Sequence, residues 1–447
     1  MSGATRARAV TPDPAPAHGL ARARGAWMLF DWAAQPYHTL ITAFIFAPYF
    51  ATVLVGDAVE GQKLWGIIQG MTGLAVALAA PIFGSLADRT GRLKLLVLAV
   101  SAVYVAASSA LWAATPGAIV LAGAGVALAG FAVEIAAVLT NALLPRLAAP
   151  GRIGKLSGSA WALGFLGGLV SLAATLAFLS PAGSGAATLA GLEPLFGLDP
   201  SDGGPARATG PLAAIWYVVF AAPFFIFVPS SLAAVHGPAP PRLLDALERL
   251  SRAPGLARFL LARLAFQDAL LAVFAFGGIY GAGVLGWETT ELGIFGILLT
   301  VTGAIGAWLG GRIDDRVGPR PVVIGSILLN LAALALIGLV EAPAQEPTSL
   351  FGRGEDRLFL LAGVLVGIAA GPLQASSRTY LARLAPAEEM AAAFGLFAFS
   401  GKAVSFTGPL LVSLATSIGG TQSAGLVPIA VLFVIGLAVL ASVPPAR

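Results

Sequence analysis

The chain has 447 residues, of which 57% are hydrophobic and only 11% charged, and its mean hydropathy of +0.87 excludes an ordinary water-soluble domain. A net charge of +4 would elsewhere hint at nucleic acid, but here the basic residues gather between long apolar runs, where a membrane protein keeps its cytosolic loops, so no nucleic-acid partner is expected. The absence of cysteine excludes disulfides, thiol catalysis and zinc–thiolate sites.

Roughly twelve apolar runs of about 20 residues are each long enough to cross a bilayer as a helix and too long for barrel strands. The predicted class is all-α, a polytopic membrane protein. Residues 1–25 contain arginines and prolines but no apolar h-region, and are expected to be a disordered cytosolic tail and not a cleaved signal. Span one is predicted over 27–55, with Asp31, Gln35 and His38 at i, i+4 and i+7 on one face and Pro36 and Pro48 as kink points. Span two (64–87) leads into a charged loop, and span three covers 95–114. Span four (118–144) carries Glu134 and Asn141, seven residues apart and again on one face. A basic turn over 145–155 precedes span five (156–179), in which Gly164 and Gly168 form a small-xxx-small pair that lets helices approach closely. The Gly/Pro-rich stretch 180–210 reads as an irregular outer loop, and span six covers 211–235.

Residues 236–257 are the boundary between a first half, 26–235, and a second, 258–447. Within the boundary, Leu243, Leu244, Leu247 and Leu250 form an apolar stripe, and Asp245/Arg249 and Glu248/Arg252 are i,i+4 pairs. The stripe predicts a short amphipathic helix on the cytosolic surface, with a solvated linker helix as the alternative. Spans seven to twelve are predicted at 259–284, 292–309, 322–340, 358–384, 391–418 and 426–443. Among basic residues outside the spans, only Lys63, Arg207, Arg353 and Arg357 fall on the other side, so both termini are expected in the cytosol.

The loop at 84–94, Gly-Ser-Leu-Ala-Asp-Arg-Thr-Gly-Arg-Leu-Lys, recurs at 311–320 as Gly-Arg-Ile-Asp-Asp-Arg-Val-Gly-Pro-Arg. Gly84, Asp88, Arg89 and Gly91 answer Gly311, Asp315, Arg316 and Gly318, and the Leu-Pro-Arg-Leu-Ala-Ala run at 144–149 answers Leu-Ala-Arg-Leu-Ala-Pro at 381–386. The chain therefore reads as a duplication. One copy alone would pass for a plain turn; two at matching places predict paired gating loops, Arg92 included. Span two is expected to end at residue 86 or 87, Gly91 to take a positive φ, and Asp88 to meet the positive N-terminal end of a neighbouring helix. Because Pro319 and Pro321 replace basic residues of the first copy, the second loop is expected to do less.

An ionisable group inside a span costs about 2.5–3.5 kcal/mol on insertion scales and is a functional hypothesis by default. The candidates are Asp31, Glu134, Asp268, Arg378 and Lys402, with His38 able to titrate near neutral pH. Asp31 could instead be a surface-level acid paired with Arg22 or Arg24, and Glu134 or Asp268 a structural partner of a basic neighbour. Lys402 lies too deep to snorkel easily and needs a partner; Arg378, one turn beyond Gln374, offers a planar fork for a carboxylate unless it snorkels. Together these residues predict a cavity holding acids, Asp268 among them, and cations from spans ten and eleven. Such a set can hold a carboxylate and exchange a proton. The chain lacks GxxxxGK[ST], HExxH and G-x-S-x-G motifs, and His18, His38 and His236 are too dispersed for a metal site. No enzyme activity, metal or cofactor is expected, and any transport has to run on gradients.

The paired loops resemble the signature loop of the major facilitator superfamily, found between spans two and three and again between eight and nine. More specific stretches are Trp-Met-Leu-Phe-Asp-Trp-Ala-Ala-Gln-Pro-Tyr at 27–37, Glu134 with Asn141 and the Leu-Pro of 144–145, and Ser-Gly-Ser-Ala-Trp-Ala-Leu-Gly-Phe-Leu-Gly-Gly at 157–168. Others are Phe-Ala-Phe-Gly-Gly-Ile-Tyr at 274–280, Gln-Ala-Ser-Ser-Arg at 374–378, and the run from Phe394-Gly395 through Gly401-Lys402 to Gly408-Pro409. All resemble the vacuole-effluxer-like branch of that superfamily, related to autophagy-linked vacuolar amino-acid exporters. The resemblance implies two pseudo-symmetric six-helix halves rocking about a central site, and export of amino-acid-like solutes. It favours Asp31, Glu134, Asn141, Asp268, Gln374, Arg378 and Lys402 as residues lining or gating that site; with His38 added from the residues alone, Lys402, Arg378, Gln374, Asn141 and His38 are expected at the substrate and Glu134, Asp268 and Asp31 at the coupling proton.

The expected function is proton-coupled alternating access for a small carboxylate-bearing solute. Broad drug or lipid-like efflux and a non-transporting scaffold or sensor are the alternatives. The expected partners are the solute, a proton or other coupling ion and the lipid bilayer, with the protein a monomer. The Ala/Arg/Gly-rich composition points to a high-GC bacterium, and hence to a bacterial inner membrane.

Overall fold

The computed structural model describes residues 17–180, 187–233, 248, 255–287, 289–340, 351–403, 405 and 407–445. Eleven helices among them are long and apolar enough to cross a membrane: α1 (Ala17–Pro36, extended through π-helical turns to Leu54), α2 (Ala58–Thr90), α3 (Leu93–Ala110), α4 (Ile119–Asn141), α5 (Ile153–Phe178), α6 (Gly204–Phe227), α7 (Leu256–Leu285), α8 (Thr289–Val317), α9 (Pro319–Ile337), α10 (Gly354–Leu384) and α13 (Leu426–Ala441). The remaining span is broken into α11 (Met390–Lys402) and α12 (Thr407–Gly419), where the sequence predicted one helix. The result is an all-α polytopic membrane fold.

Several boundaries differ from expectation for local reasons. Residues 17–25, assigned to a disordered tail, are helical; Ala23 and Ala26 are buried, and the Arg24 Nε donates to the Leu147 carbonyl at 2.6 Å. The expected linker helix lies outside the described residues apart from Glu248. Helix α6 begins at Gly204 and not at 211, because Gly203 takes φ 76° and the Gly204 amide donates to Asp202 Oδ1 at 2.7 Å, with Pro205 in the first turn where its missing N–H costs nothing. Pro36 cannot donate to the carbonyl four residues back, at Trp32. That carbonyl instead accepts from Trp216 Nε1 at 3.2 Å, and the chain continues in wide π turns from Tyr37.

The paired loops join the halves at the end of the bundle that carries most of the basic residues, here called the basic end. Helix α2 runs to Thr90, a turn further than expected, so Asp88 is its last-turn acid. The amides of Ala391 and Ala392 donate to Asp88 Oδ1 and Oδ2 at 3.3 and 2.8 Å, placing the carboxylate on the positive N-terminus of α11. Gly91 turns the chain with φ 63° and Gly318 with φ 86°. The second copy is not the lesser one. Asp315 accepts from the amides of Gly154 and Lys155 at 2.7 and 2.9 Å, so it caps α5 as Asp88 caps α11; the prolines lie beyond the acid and leave this contact untouched.

Small residues let these helices meet backbone to backbone. Gly84 lies against the Ala391 carbonyl, and Gly311 and Gly154 lie against each other's carbonyls. Helix α11 packs closely on α2 and α5 on α8, whereas α12 makes no comparable contact with the first half among the described residues. The halves are therefore clamped at the basic end.

Losing either cap should cost about 1 kcal/mol of that closure. Because the chain has no native cysteine, a cysteine in place of Ala391, which is fully buried, reports opening without background. We expect Asp88→Ala to speed its alkylation by roughly five- to tenfold. Asp315→Ala should weaken the partner clamp equally, in contrast to the weaker role its sequence suggests. Unchanged labelling in both variants would remove the clamp assignment.

Candidate functional site

Between the halves lies a cavity of about 340 Å³. The i, i+4, i+7 face of α1 supplies Asp31, Gln35 and His38; α4 supplies Glu134 and Asn141; α10 supplies Gln374 and Arg378; and α11 ends in Lys402. Helical periodicity brings these sequence-predicted residues to one space. Gly164 and Gly168 keep α5 close to α1, facing Gln35 and Thr39.

Arg378 forms the densest set of polar contacts across the halves. Its Nη1 donates to Asp31 Oδ2 at 3.1 Å and to Asn141 Oδ1 at 2.9 Å. Nε donates to Ser157 Oγ at 3.1 Å and Nη2 to the Ser157 carbonyl at 3.0 Å. The guanidinium also lies 5.6 Å from the Trp27 ring and 5.4 Å from that of Trp161, cation–π distances that add attraction in a desolvated setting. Only 3% of Arg378 is exposed, so it does not snorkel. Nor does Asp31 pair with Arg22 or Arg24, since the helix starts far enough upstream to put it well inside the bundle. One arginine of the second half thus ties together α1, α4 and α5 of the first.

About 10 Å deeper, by the seven-residue spacing of Glu134 and Asn141, Lys402 Nζ donates to Glu134 Oε1 at 2.9 Å. Both side chains remain partly open to the cavity, at 35% and 26%. Lys402 occupies the last turn of α11, where the helix dipole favours a cation.

Asp268 lies elsewhere. It is 2% exposed and does not line the cavity; its Oδ2 accepts from the Gly408 amide at 2.8 Å, capping the N-terminus of α12. The lining face of this helix is formed by Arg263, Gln267 and Leu271, and Asp268 lies about 100° around the helix from its centre at Gln267. The expectation that it faces the site is corrected: it holds the second piece of the broken span.

Three lining residues with polar side-chain atoms were absent from the sequence candidates. Arg263 is 6% exposed, and its Nη1 donates to the Phe397 carbonyl at 2.6 Å and to Ser400 Oγ at 2.9 Å. Gln267 and Trp161 also line the space. Arg263 was legible only as another basic residue near a span end; its inward phase depends on how α7 packs against α11. Outside the cavity, Asp314 is fully buried, accepting from Thr379 Oγ1 and pairing with Arg383 at 3.1 Å.

The comparisons with known proteins agree with this architecture. The family described as "Vacuole effluxer Atg22 like" matches residues 65–447. The chain is 24% identical over 431 residues to the uncharacterized MFS-type transporter YxiO of Bacillus subtilis, covering 94% of each. It is 26% identical over 251 residues to autophagy-related protein 22 of Cryptococcus neoformans, a match spanning 53% of this chain and 44% of the fungal protein. Among solved structures, the human organic anion transporter MFSD10 superposes with a TM-score of 0.69 at 17% identity, covering 95% of this chain and all of that one (100%).

Proposed function

On the premise that the chain belongs to the vacuole effluxer Atg22-like family, and so is a membrane transporter of the major facilitator type, we propose that it exports a small carboxylate-bearing solute, an amino acid or similar, by proton-coupled alternating access. One observation carries this reading: two acid–base pairs, Arg378–Asp31 and Lys402–Glu134, cross between the halves inside one cavity. A solute carboxylate that takes Lys402 competes with Glu134, and the displaced acid, desolvated and unpaired, is most cheaply kept as its neutral protonated form. Solute and proton then bind together, and the broken cross-half pairs free the halves to part at the basic end. Because solute and proton move together in this scheme, direction follows the sum of the two gradients, and efflux, the direction that the family description names, runs where the outward solute gradient exceeds the inward pull of the proton.

The positive-inside rule puts the basic end in the cytosol, in keeping with a bacterial inner membrane and with a cytosol-closed state for this arrangement. Asp268 enters as a second proton site, since neutralising it would weaken the cap on α12 and loosen the broken span. Broad efflux of lipophilic compounds draws on a separate apolar cavity of about 130 Å³, lined by Phe276, Tyr280 and Phe359. That cavity lies within the second half and has no charged lining residue, so rocking of the halves would not act on it.

The test is uptake into proteoliposomes under an imposed pH gradient. The expected result is uphill accumulation of a carboxylated solute that collapses with a protonophore. Movement of lipophilic cations alone would overturn the reading.

A further inference from the structure

The charges of the cavity do not balance. Among the described residues, Arg263, Arg378 and Lys402 line it against Asp31 and Glu134. Arg378 and Lys402 are each engaged by a carboxylate. Arg263 has only a carbonyl and a hydroxyl as hydrogen-bond acceptors, and its buried Nε has no partner. The guanidinium is stacked 3.4 Å over the Phe397 ring, and a Cβ on Gly401 would sit 2.8 Å from its Nη1. The absent side chain at Gly401 leaves the seat for this group. Asp268, the next acid along α7, is turned away and occupied by the Gly408 amide.

A buried arginine with no carboxylate at ion-pair distance among the described residues, whose longer-range acid Glu134 is already hydrogen-bonded by Lys402, is costly, and the cost falls when an anion arrives. We propose that the cavity selects solutes of net negative charge and that Arg263 receives the solute's anionic group first, before that group reaches Lys402 in the same cavity and displaces Glu134. This rests on the carboxylate-transport reading and narrows it: a zwitterion brings no net charge and leaves the excess cation uncompensated, whereas a monoanion neutralises it. Arg263 is well placed for a carboxylate because its planar fork can offer two parallel donors.

The experiment uses the full chain purified in detergent and two matched pairs of probes, glutamate against glutamine and lactate against lactamide, which share size within each pair and differ in charge. The expected result is that the anion of at least one pair binds about tenfold or more tightly than its neutral partner, a ratio worth about 1.4 kcal/mol. Arg263→Gln should collapse the ratio toward one, and Arg263→Lys should restore part of it. A ratio near one in the unaltered protein, with the carboxylated amino acids still bound, would overturn net-anion selection while leaving carboxylate transport standing. A large ratio that survives Arg263→Gln would move the anion seat to another residue and overturn this assignment. If no carboxylated probe binds the unaltered protein, the underlying transport reading fails first and this inference with it. The comparison in the unaltered protein needs no variant to fold.

Discussion

Arg378→Ala should abolish transport and open the basic end of the bundle. In the closed arrangement this single side chain donates to Asp31, Asn141 and the hydroxyl and carbonyl of Ser157. Removing it leaves a carboxylate and an amide without their partner in a largely desolvated crevice. Breaking a buried pair costs about 3–5 kcal/mol, and because a quarter of the Asp31 side chain is exposed, the lower end, about 3 kcal/mol, is the better expectation. That penalty falls on the closed state alone, since the contacts cross between halves. A cysteine at Ala391 should therefore be alkylated faster in Arg378→Ala than in Asp88→Ala, by roughly a further tenfold for each 1.4 kcal/mol of difference. Arg378→Lys should recover little, because an ammonium is a point donor and cannot span acceptors on three helices. A variant that transports normally, or whose Ala391 cysteine stays as protected as in the parent, would show that Arg378 is not what closes this end.

The sequence made some of this visible and hid the rest for physical reasons. Apolar runs are dictated by the bilayer and the loop at 84–94 recurs in the sequence at 311–320, so the polytopic helical class, the Gly91 turn and the engagement of Asp88 with a helix N-terminus could be read directly. Residues spaced at i, i+4 and i+7 must share a face, and so Asp31, Gln35 and His38 point the same way, as do Glu134 and Asn141. What a spacing does not give is the rotation of that face relative to a neighbour in a helix that is apolar all round. Asp268, expected in the cavity, is replaced there by Arg263, which was no candidate, for this reason: the same helix turns the arginine inward and the aspartate toward α12. The break between Lys402 and Thr407 was hidden too, because no proline lies between them and the flanking runs are equally apolar. Its signal, in hindsight, is the Gly408-Pro409 pair, which lacks one ordinary amide donor at the start of α12 and leaves the Gly408 amide for an acid across the bundle. The expectation that the second loop is weaker failed because it counted basic residues, while the contact that matters is made by the acid.

Lys402→Ala should eliminate net transport while leaving folding almost unchanged, a separation opposite in kind to that of Arg378. The Lys402–Glu134 pair is partly open to the cavity on both sides, so an abandoned Glu134 can take up water or a proton, and the cost stays below the roughly 3–5 kcal/mol of breaking a fully buried pair. Loss of the ammonium removes the group for which solute and Glu134 compete, so no exchange of partners remains to drive the halves. Glu134→Gln tests the other member. A carboxamide keeps the volume and accepts a hydrogen bond from Lys402, but it cannot release a proton, and its weaker hold leaves Lys402 more accessible to a carboxylate. Exchange of solute across proteoliposomes at equal pH should therefore persist, while accumulation against a gradient under a pH difference should disappear. Retention of uphill accumulation by Glu134→Gln would move the coupling proton to Asp31 or Asp268, and the double variant of Glu134→Gln with Asp31→Asn would then separate the two: accumulation is lost if Asp31 carries the proton and persists if Asp268, capping α12 from outside the cavity, does.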